Sequence, residues 1–341
     1  MKVRQAVVMV GGQGTRLRPL TENRPKPVLP VAGKPCIWYL LRSMADAGIE
    51  EIFLACGYRP EMISEALGDG SDLGVRLVYS YEKSPMGTGG ALKLLESRLD
   101  PVFLAANGDV FADIDITGQI GRHFSSGADV TIALASVPNP WEFGVARVTE
   151  DGFVSEFREG MRPHEVFSDM INAGVYVVDR RVLSLIPEGS FYDFSKHLFP
   201  EIISRGGRLA GFPVQGIWMD VGRPSDYMRA NMLFVEECSQ VRGDVCGGTL
   251  SGVYIGDGAA TFESDLESVV LMDGSTVRGC GIRRAVILES STVEGAVIED
   301  SIVGMGCKIM PGAVVRNSVL ADGTVIGQGE VRDDGLRLRE T

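Results

Sequence analysis

From Ala285 onward the sequence can be written in six-residue lines: AVILES, STVEGA, VIEDSI, VGMGCK, IMPGAV, VRNSVL, ADGTVI. The lines begin at Ala285, Ser291, Val297, Val303, Ile309, Val315 and Ala321; all of these except Ser291 are small or branched and apolar. Such a repeat leaves few folds open. One line cannot bury its own apolar face, so successive lines must stack, and a coil of parallel strands is the fold that lets them do so. A run of hairpins would not hold one period over so many lines. The pattern predicts a parallel β-helix over residues 245–335, entered through the stretch CSQVRGDVCGG.

The texture before that stretch is different. Strand-like and helix-like segments alternate over residues 1–237: AVVMV, then a helix from Pro35 to Ala47 closed by Gly48, the strand EEIFLAC, the helix PEMISEAL, the strand VRLVYS, the helix GGALKLLESRL, and the strands VFLAAN and ADVTIAL. Glycine just past a helix end is a common C-terminal cap. The alternation predicts an α/β domain with a mostly parallel sheet and helices on both faces. Ligands of such sheets sit beyond the carboxyl ends of the strands. With 341 residues the chain is long enough for two domains.

After the first strand comes VGGQGTRLRPLTENRPKPVLP. A dinucleotide fold needs its glycine turn to open straight into a helix. Pro19, Pro25, Pro27 and Pro30 forbid one here. The later AGKP has neither the spacing nor the hydroxyl of a Walker loop. What remains is a long loop whose glycines let backbone N–H groups approach a phosphate, with Arg16 and Lys26 as its natural cations. The net charge of −12 argues against a nucleic-acid surface, so a nucleotide bound here is a free small molecule. No apolar run reaches a membrane span, and the N-terminus lacks a secretory cleavage pattern. Cys36, Cys56, Cys238, Cys246, Cys280 and Cys307 are scattered without metal-like pairing, as expected of a reduced, cytoplasmic protein.

GGQGTRLRPLT with RPKPVLPVAGKP is followed in order by PMGTGGAL (85–92), NGDV (107–110), EFGVARV (142–148), INAGVYVV (171–178) and WMDVGRPSDY (218–227). This succession, spanning nearly the whole chain, resembles the sugar-1-phosphate nucleotidyltransferases, and among them the mannose-1-phosphate guanylyltransferases in texture. The resemblance implies a Rossmann-like nucleotidyltransferase domain followed by a left-handed β-helix. It implies transfer of a nucleotidyl group from an NTP to a sugar 1-phosphate, with release of pyrophosphate and with Mg²⁺ as cofactor. Asp109 and Asp220 would hold the metal. Arg16 would hold the leaving pyrophosphate, and Lys26 would bridge the α-phosphate and the sugar phosphate. Val10, Gly11, Gly12, Gly14 and Thr15 would line the nucleotide, with Gly87 and Thr88 against the base. Gly144, Glu159, Asn172 and Trp218 match sugar-holding positions. A homo-oligomer through the β-helix is expected.

Base choice has its own chemistry. Guanine presents N1–H and N2–H₂ donors that suit a carboxylate, whereas thymine and uracil suit an amide. Glu82 stands where thymidylyl and uridylyl relatives usually carry Gln, which favours GTP. Thymidylyl or adenylyl transfer to glucose 1-phosphate stays open, as does a non-catalytic regulatory relative. An acyltransferase is disfavoured, because His123, His164 and His197 all lie outside the six-residue lines. One block departs from the family pattern. EFREGMRP keeps Phe157 and Glu159 but has Gly160 in place of a Lys that contacts the sugar phosphate, which leaves Arg158 or Arg162 to compensate or the acceptor to differ from mannose 1-phosphate.

Overall fold

The computed structural model describes residues 2–82, 85–236 and 239–338. The chain divides into two units: Met1–Gly12 with Ile37–Trp218, and Gln13–Cys36 with Met219–Thr341.

In the first unit, strands Gln5–Val10, Glu51–Cys56, Arg76–Tyr81 and Val102–Asn107 form a parallel array, ordered with Gln5–Val10 between Glu51–Cys56 and Val102–Asn107. Gln5–Val10, Glu51–Cys56 and Val102–Asn107 are almost wholly apolar, as expected where both faces of a sheet are covered, whereas the edge strand Arg76–Tyr81 is partly exposed. The mostly parallel reading gives way at Met170–Asp179. This strand runs antiparallel to both Val102–Asn107 and Val130–Ser136. Beyond it, Val145–Val148 and Val154–Arg158 form an antiparallel ribbon, and Leu209–Pro213 pairs parallel with Val130–Ser136. The sheet is therefore mixed, with a parallel part and an antiparallel part.

Local chemistry sets the helix ends. Pro60 opens helix Pro60–Leu67, and the Gly68 amide closes it on the Ser64 carbonyl at 2.9 Å. Asp115 caps Ile116–Ser126 by accepting from Gly118 N at 2.8 Å. Helix Gly87–Leu95 turns Ala91, Leu92 and Leu95 into a core with Val7, Phe53, Ala105 and Tyr176. Phe157, Phe194 and Phe199 extend that core, with Phe157–Phe199 and Tyr176–Phe194 edge to face at 5.2 Å.

The second unit is built on the predicted parallel coil. Its ladders stack Val277, Val293, Ile309 and Ile326 on one side. Leu266, Ile282, Ile298 and Val315 stack on a second, and Leu271, Ile287 and Val303 on a third. All are buried in one core. Equivalent residues are 16 or 17 apart, so the coil is shorter than three full six-residue lines. The frame read from sequence therefore slips at Val297, which is 38% exposed while Ile298 points inward. Tight corners at positive φ, among them Arg284, Ser290 and Asp300, shorten the sides. Helix Pro224–Glu236 packs on the coil and buries Tyr227, Met228, Asn231 and Met232.

Segment Gln13–Cys36 belongs to this second unit, not to the sheet whose strand it follows. It contains two short 3₁₀ turns, Thr15–Leu17 and Lys26–Val28, and the tight hairpin Pro30–Val31/Lys34–Pro35. Ala32 and Gly33, both at positive φ, form the hairpin turn, so AGKP is a β-turn with no phosphate-cradling geometry. No helix among the described residues is long and apolar enough to cross a membrane.

Candidate active site

In the first unit, strand ends carry the candidate residues. Gly11 and Gly12 follow Val10 at the carboxyl end of the first strand, exposed, with open space where side chains would stand. Backbone here is accessible to a ligand in a way no other residue type would allow as freely. Asn107–Gly108–Asp109 ends the neighbouring strand. Gly108 donates to the Met9 carbonyl at 2.8 Å, and a Cβ at Gly108 would strike Val10, so Asp109 follows a position that only glycine fits. Asp109 is half-buried.

Most polar side chains predicted for this part already have partners. The Glu82 carboxylate accepts from the Met86 amide at 3.2 Å, and burial pushes its pKa above the ordinary carboxylate range. The same burial, with Glu82 adding to it, pushes the Cys56 thiol up to about 12, so Cys56 is an inert core thiol. Gly87, at φ +72, opens its helix against the Tyr192 carbonyl, which accepts from Gly89 N at 2.8 Å. The Thr88 hydroxyl accepts from Phe194 N at 2.8 Å and donates to Asp193 at 3.3 Å, fixing the segment behind the loop.

Asn172 sits at a register break in its strand, where a bulge re-aims side chains. Its Oδ1 accepts from Gly174 N at 2.9 Å, and its Nδ2 donates to Tyr176 Oη at 2.9 Å and Ser195 Oγ at 3.1 Å. The Asn172 amide donates to the Gly144 carbonyl at 2.8 Å, and Gly144 lies against the Phe157 ring, where a Cβ would not fit. Trp218 is half-buried, with Nε1 donating to the Ala173 carbonyl at 2.7 Å and its ring edge-on to Phe143 at 5.9 Å. Glu159 has Lys196 at 3.7 Å, while Arg158 is engaged by Glu156 at 2.7 Å. Arg162 is exposed and starts a short turn with Glu165. Ser195 and Lys196 were not singled out from sequence; their segment, FSKHL, has no motif beyond its apolar spacing.

In the second unit, the candidate residues form a charge cluster. Gly14, at φ +61, begins the turn that carries exposed Thr15 and Arg16, and its carbonyl accepts from Thr21 Oγ1 at 2.7 Å. Lys26 Nζ lies 2.9 Å from Asp220 Oδ1, with a Lys26 side chain only 5% exposed. Arg16 Nη2 lies 3.5 Å from Asp220 Oδ2, with an Arg16 side chain 59% exposed. Asp220 thus joins two cations of one loop, the nearer of them 194 residues before it in sequence. Gly222 makes room for them: a Cβ there would press on Asp220 Oδ2 and the Arg16 guanidinium at 3.1 and 3.2 Å. Sequence reasoning passed over Gly222, although it stands inside WMDVGRPSDY.

The nucleotidyl transferase family model matches residues 5–237. The chain belongs to the nucleotidyl transferase family. Similar to this nucleotidyl transferase is a mannose-1-phosphate guanylyltransferase of Mycobacterium tuberculosis, 37% identical over 95% of this chain and 81% of its own length. The catalytic subunit beta of a Drosophila pseudoobscura mannose-1-phosphate guanylyltransferase is 36% identical over 69% of this chain and 64% of its own length. Among solved structures, a Bacillus anthracis protein provisionally named a glucose-1-phosphate thymidylyltransferase, with sucrose bound, superposes with a TM-score of 0.61 at 26% identity, covering 68% of this chain and 95% of that one. The family model ends where helix Pro224–Glu236 does, and the M. tuberculosis relative continues through the coil.

Proposed function

We propose that this enzyme transfers GMP from GTP to a sugar 1-phosphate, mannose 1-phosphate or a close relative. A phosphate oxygen of the sugar 1-phosphate attacks the α-phosphorus, the bond from that phosphorus to the bridging oxygen breaks, and pyrophosphate leaves with the electron pair. The observation that carries this is the Arg16–Asp220–Lys26 cluster on the proline-rich loop. Two cations are held beside one carboxylate, and an incoming triphosphate competes for them.

In this reading Arg16, exposed, binds the departing pyrophosphate, and Lys26, buried and directed, stabilises charge on the α-phosphate and the sugar phosphate. Val10, Gly11 and Gly12 lend backbone to the nucleotide. The described residues contain no group of three or more His, Cys, Asp or Glu arranged to hold a metal ion. Asp109 and Asp220 as two hard oxygen donors nonetheless suit Mg²⁺, which binds through one or two carboxylates plus substrate phosphates. Bound there, Mg²⁺ would neutralise phosphate charge. Asp220 becomes available to it once phosphate takes over Lys26 and Arg16.

Glu82 is proposed to read guanine. Its carboxylate already accepts one N–H, which fixes its plane, and it retains lone pairs for the base. At the acceptor, Lys196 joins Arg158 and Arg162 as a source of the cation that Gly160 lacks; Lys196 and Arg158 each lie beside a glutamate, at 3.7 and 2.7 Å. Among the described residues, Cys56, Cys246, Cys280 and Cys307 form no disulfide, which fits a reducing, cytoplasmic setting. Exposed Val325 and Val331 on the last coils suit the proposed homo-oligomer contact. A panel of NTPs against sugar 1-phosphates, read by pyrophosphate release, tests the assignment; GTP with mannose 1-phosphate should give the highest kcat/KM, and preference for TTP, UTP or ATP overturns the guanylyl reading.

A further inference from the structure

The loop that carries Lys26 has turn bonds of its own, from Val28 N to the Pro25 carbonyl and from Leu29 N to the Lys26 carbonyl, each at 3.1 Å. Pro25, Pro27 and Pro30 have no N–H to add to them. Side chains of the second unit supply further restraint. Arg24, two residues before Lys26, has a side chain only 8% exposed. Its Nη1 donates to both carboxylate oxygens of Glu289 at 3.2 and 3.3 Å, and its Nη2 lies 3.0 Å from the Met305 sulfur. Glu289 and Met305 both belong to the coil. Farther along the loop, Tyr227 donates its hydroxyl to the Pro30 carbonyl, Asn231 Oδ1 accepts from Ala32 N at 3.1 Å, and the Tyr254 hydroxyl sits where a side chain at Gly33 would go.

The pair is buried at its Arg24 end and 31% exposed at Glu289. An ion pair taken partly out of water is a weak source of stability, because desolvation offsets its attraction; its better-attested use is to specify one arrangement over others. Here it ties a coil corner to the residue that precedes the reactive lysine's turn. We propose that Glu289 is a positioning residue: acting through Arg24, it sets Lys26 against Asp220, and so makes the β-helix part of the catalytic apparatus. The proposal rests on the reading that Lys26 handles substrate phosphates. Glu289 itself touches no reacting atom.

The test uses the full-length protein and the variants Glu289→Gln, Glu289→Asp and Lys26→Ala. Steady-state rates are measured with GTP, mannose 1-phosphate and Mg²⁺. Separately, without substrate, the rate at which an amine-acylating reagent labels Lys26 is followed by mass spectrometry. Glu289→Gln keeps size and shape, so folding should survive. It should lower kcat by about tenfold with a much smaller change in KM for GTP, since a misplaced group acts mainly on the transition state. Lys26 labelling should accelerate severalfold, while labelling of exposed Lys196 stays unchanged, and Glu289→Asp should restore part of both. Wild-type kcat with wild-type labelling in Glu289→Gln overturns the proposal. So does a fall in kcat without faster labelling, or faster labelling with unchanged kcat when Lys26→Ala is inactive. If Lys26→Ala is fully active, the role of Lys26 in phosphate handling fails, and the labelling still reports whether Glu289 positions it.

Discussion

The two units keep their site residues in opposite states. In the sheet unit, Asn172, Thr88, Trp218 and Glu82 are already hydrogen-bonded to their own framework. What they offer a ligand is a fixed shape and exposed backbone at Gly11 and Gly12. In the loop-and-coil unit, Arg16, Lys26 and Asp220 neutralise one another. On the proposed reading, the groups for recognition are held by their own framework, whereas the charges for phosphate are held in place against one another until it binds, so both are preorganised but by different means.

The largest effect should come from removing the coil. Deleting residues 245–341 takes away Glu289 and Met305, which engage Arg24 in the loop of Lys26, and Tyr254, which packs against Gly33. The fragment should be insoluble or inactive; a soluble fragment of residues 1–240 with full turnover would break the claim that the loop depends on the coil.

Next in size are the charged candidates. Lys26→Ala and Asp220→Ala in the loop-and-coil unit, and Asp109→Ala in the sheet unit, should each lower kcat by about 10²–10³-fold, the usual cost of losing one preorganised charge or donor, with far-UV circular dichroism unchanged. Chelation by EDTA should abolish transfer and added Mg²⁺ restore it. Full turnover in EDTA would remove Asp109 and Asp220 from the proposed metal role.

Glu82→Gln probes the fixed side of the contrast and should be milder. Losing one acceptor for guanine should weaken discrimination for GTP over TTP or UTP by about 1–3 kcal/mol. The pH dependence adds a second reading. Burial raises the Glu82 pKa, so as pH falls it becomes neutral before an exposed glutamate would, and KM for GTP should rise on that acid limb. A raised folded-state pKa means this group adds stability below its unfolded pKa and loses it as pH rises through the folded value. Glu82→Gln should therefore not lower the melting temperature at neutral pH. An unchanged NTP ranking would show that Glu82 does not read the base.

The smallest effect belongs to Thr88→Val. The hydroxyl braces Phe194 and Asp193, so its loss should lower stability by about 1–2 kcal/mol and alter kcat by only a few fold. A loss of turnover as large as that of Lys26→Ala would erase the distinction between the two sets of groups.

Much of this was legible in the residues themselves. PEMISEAL is a helix from its first residue to its last because proline and glycine bound it. Glu51–Cys56 is the expected strand because its apolar run has no other use. The valine and isoleucine repeat demanded a stacked coil, and the prolines after Gly14 excluded a helix. These are local properties, set by backbone chemistry and by the spacing of apolar side chains. The candidate residues were readable only as an ordered succession of motifs, since no single Asp or Lys announces its role.

Tertiary structure decided the rest. The coil step of 16 or 17 residues depends on corner conformations at positive φ, which non-glycine residues such as Asp300 do not advertise. The antiparallel Met170–Asp179 looks in sequence like any other buried strand, because direction is set by pairing and leaves no periodic trace. Arg24 and Glu289 are 265 residues apart, and nothing near either one names the other. Assignment of the signature loop to the coil, and with it the placement of Lys26, follows from pairings between distant segments. Periodicity reports which face of an element is buried; only packing reports against what.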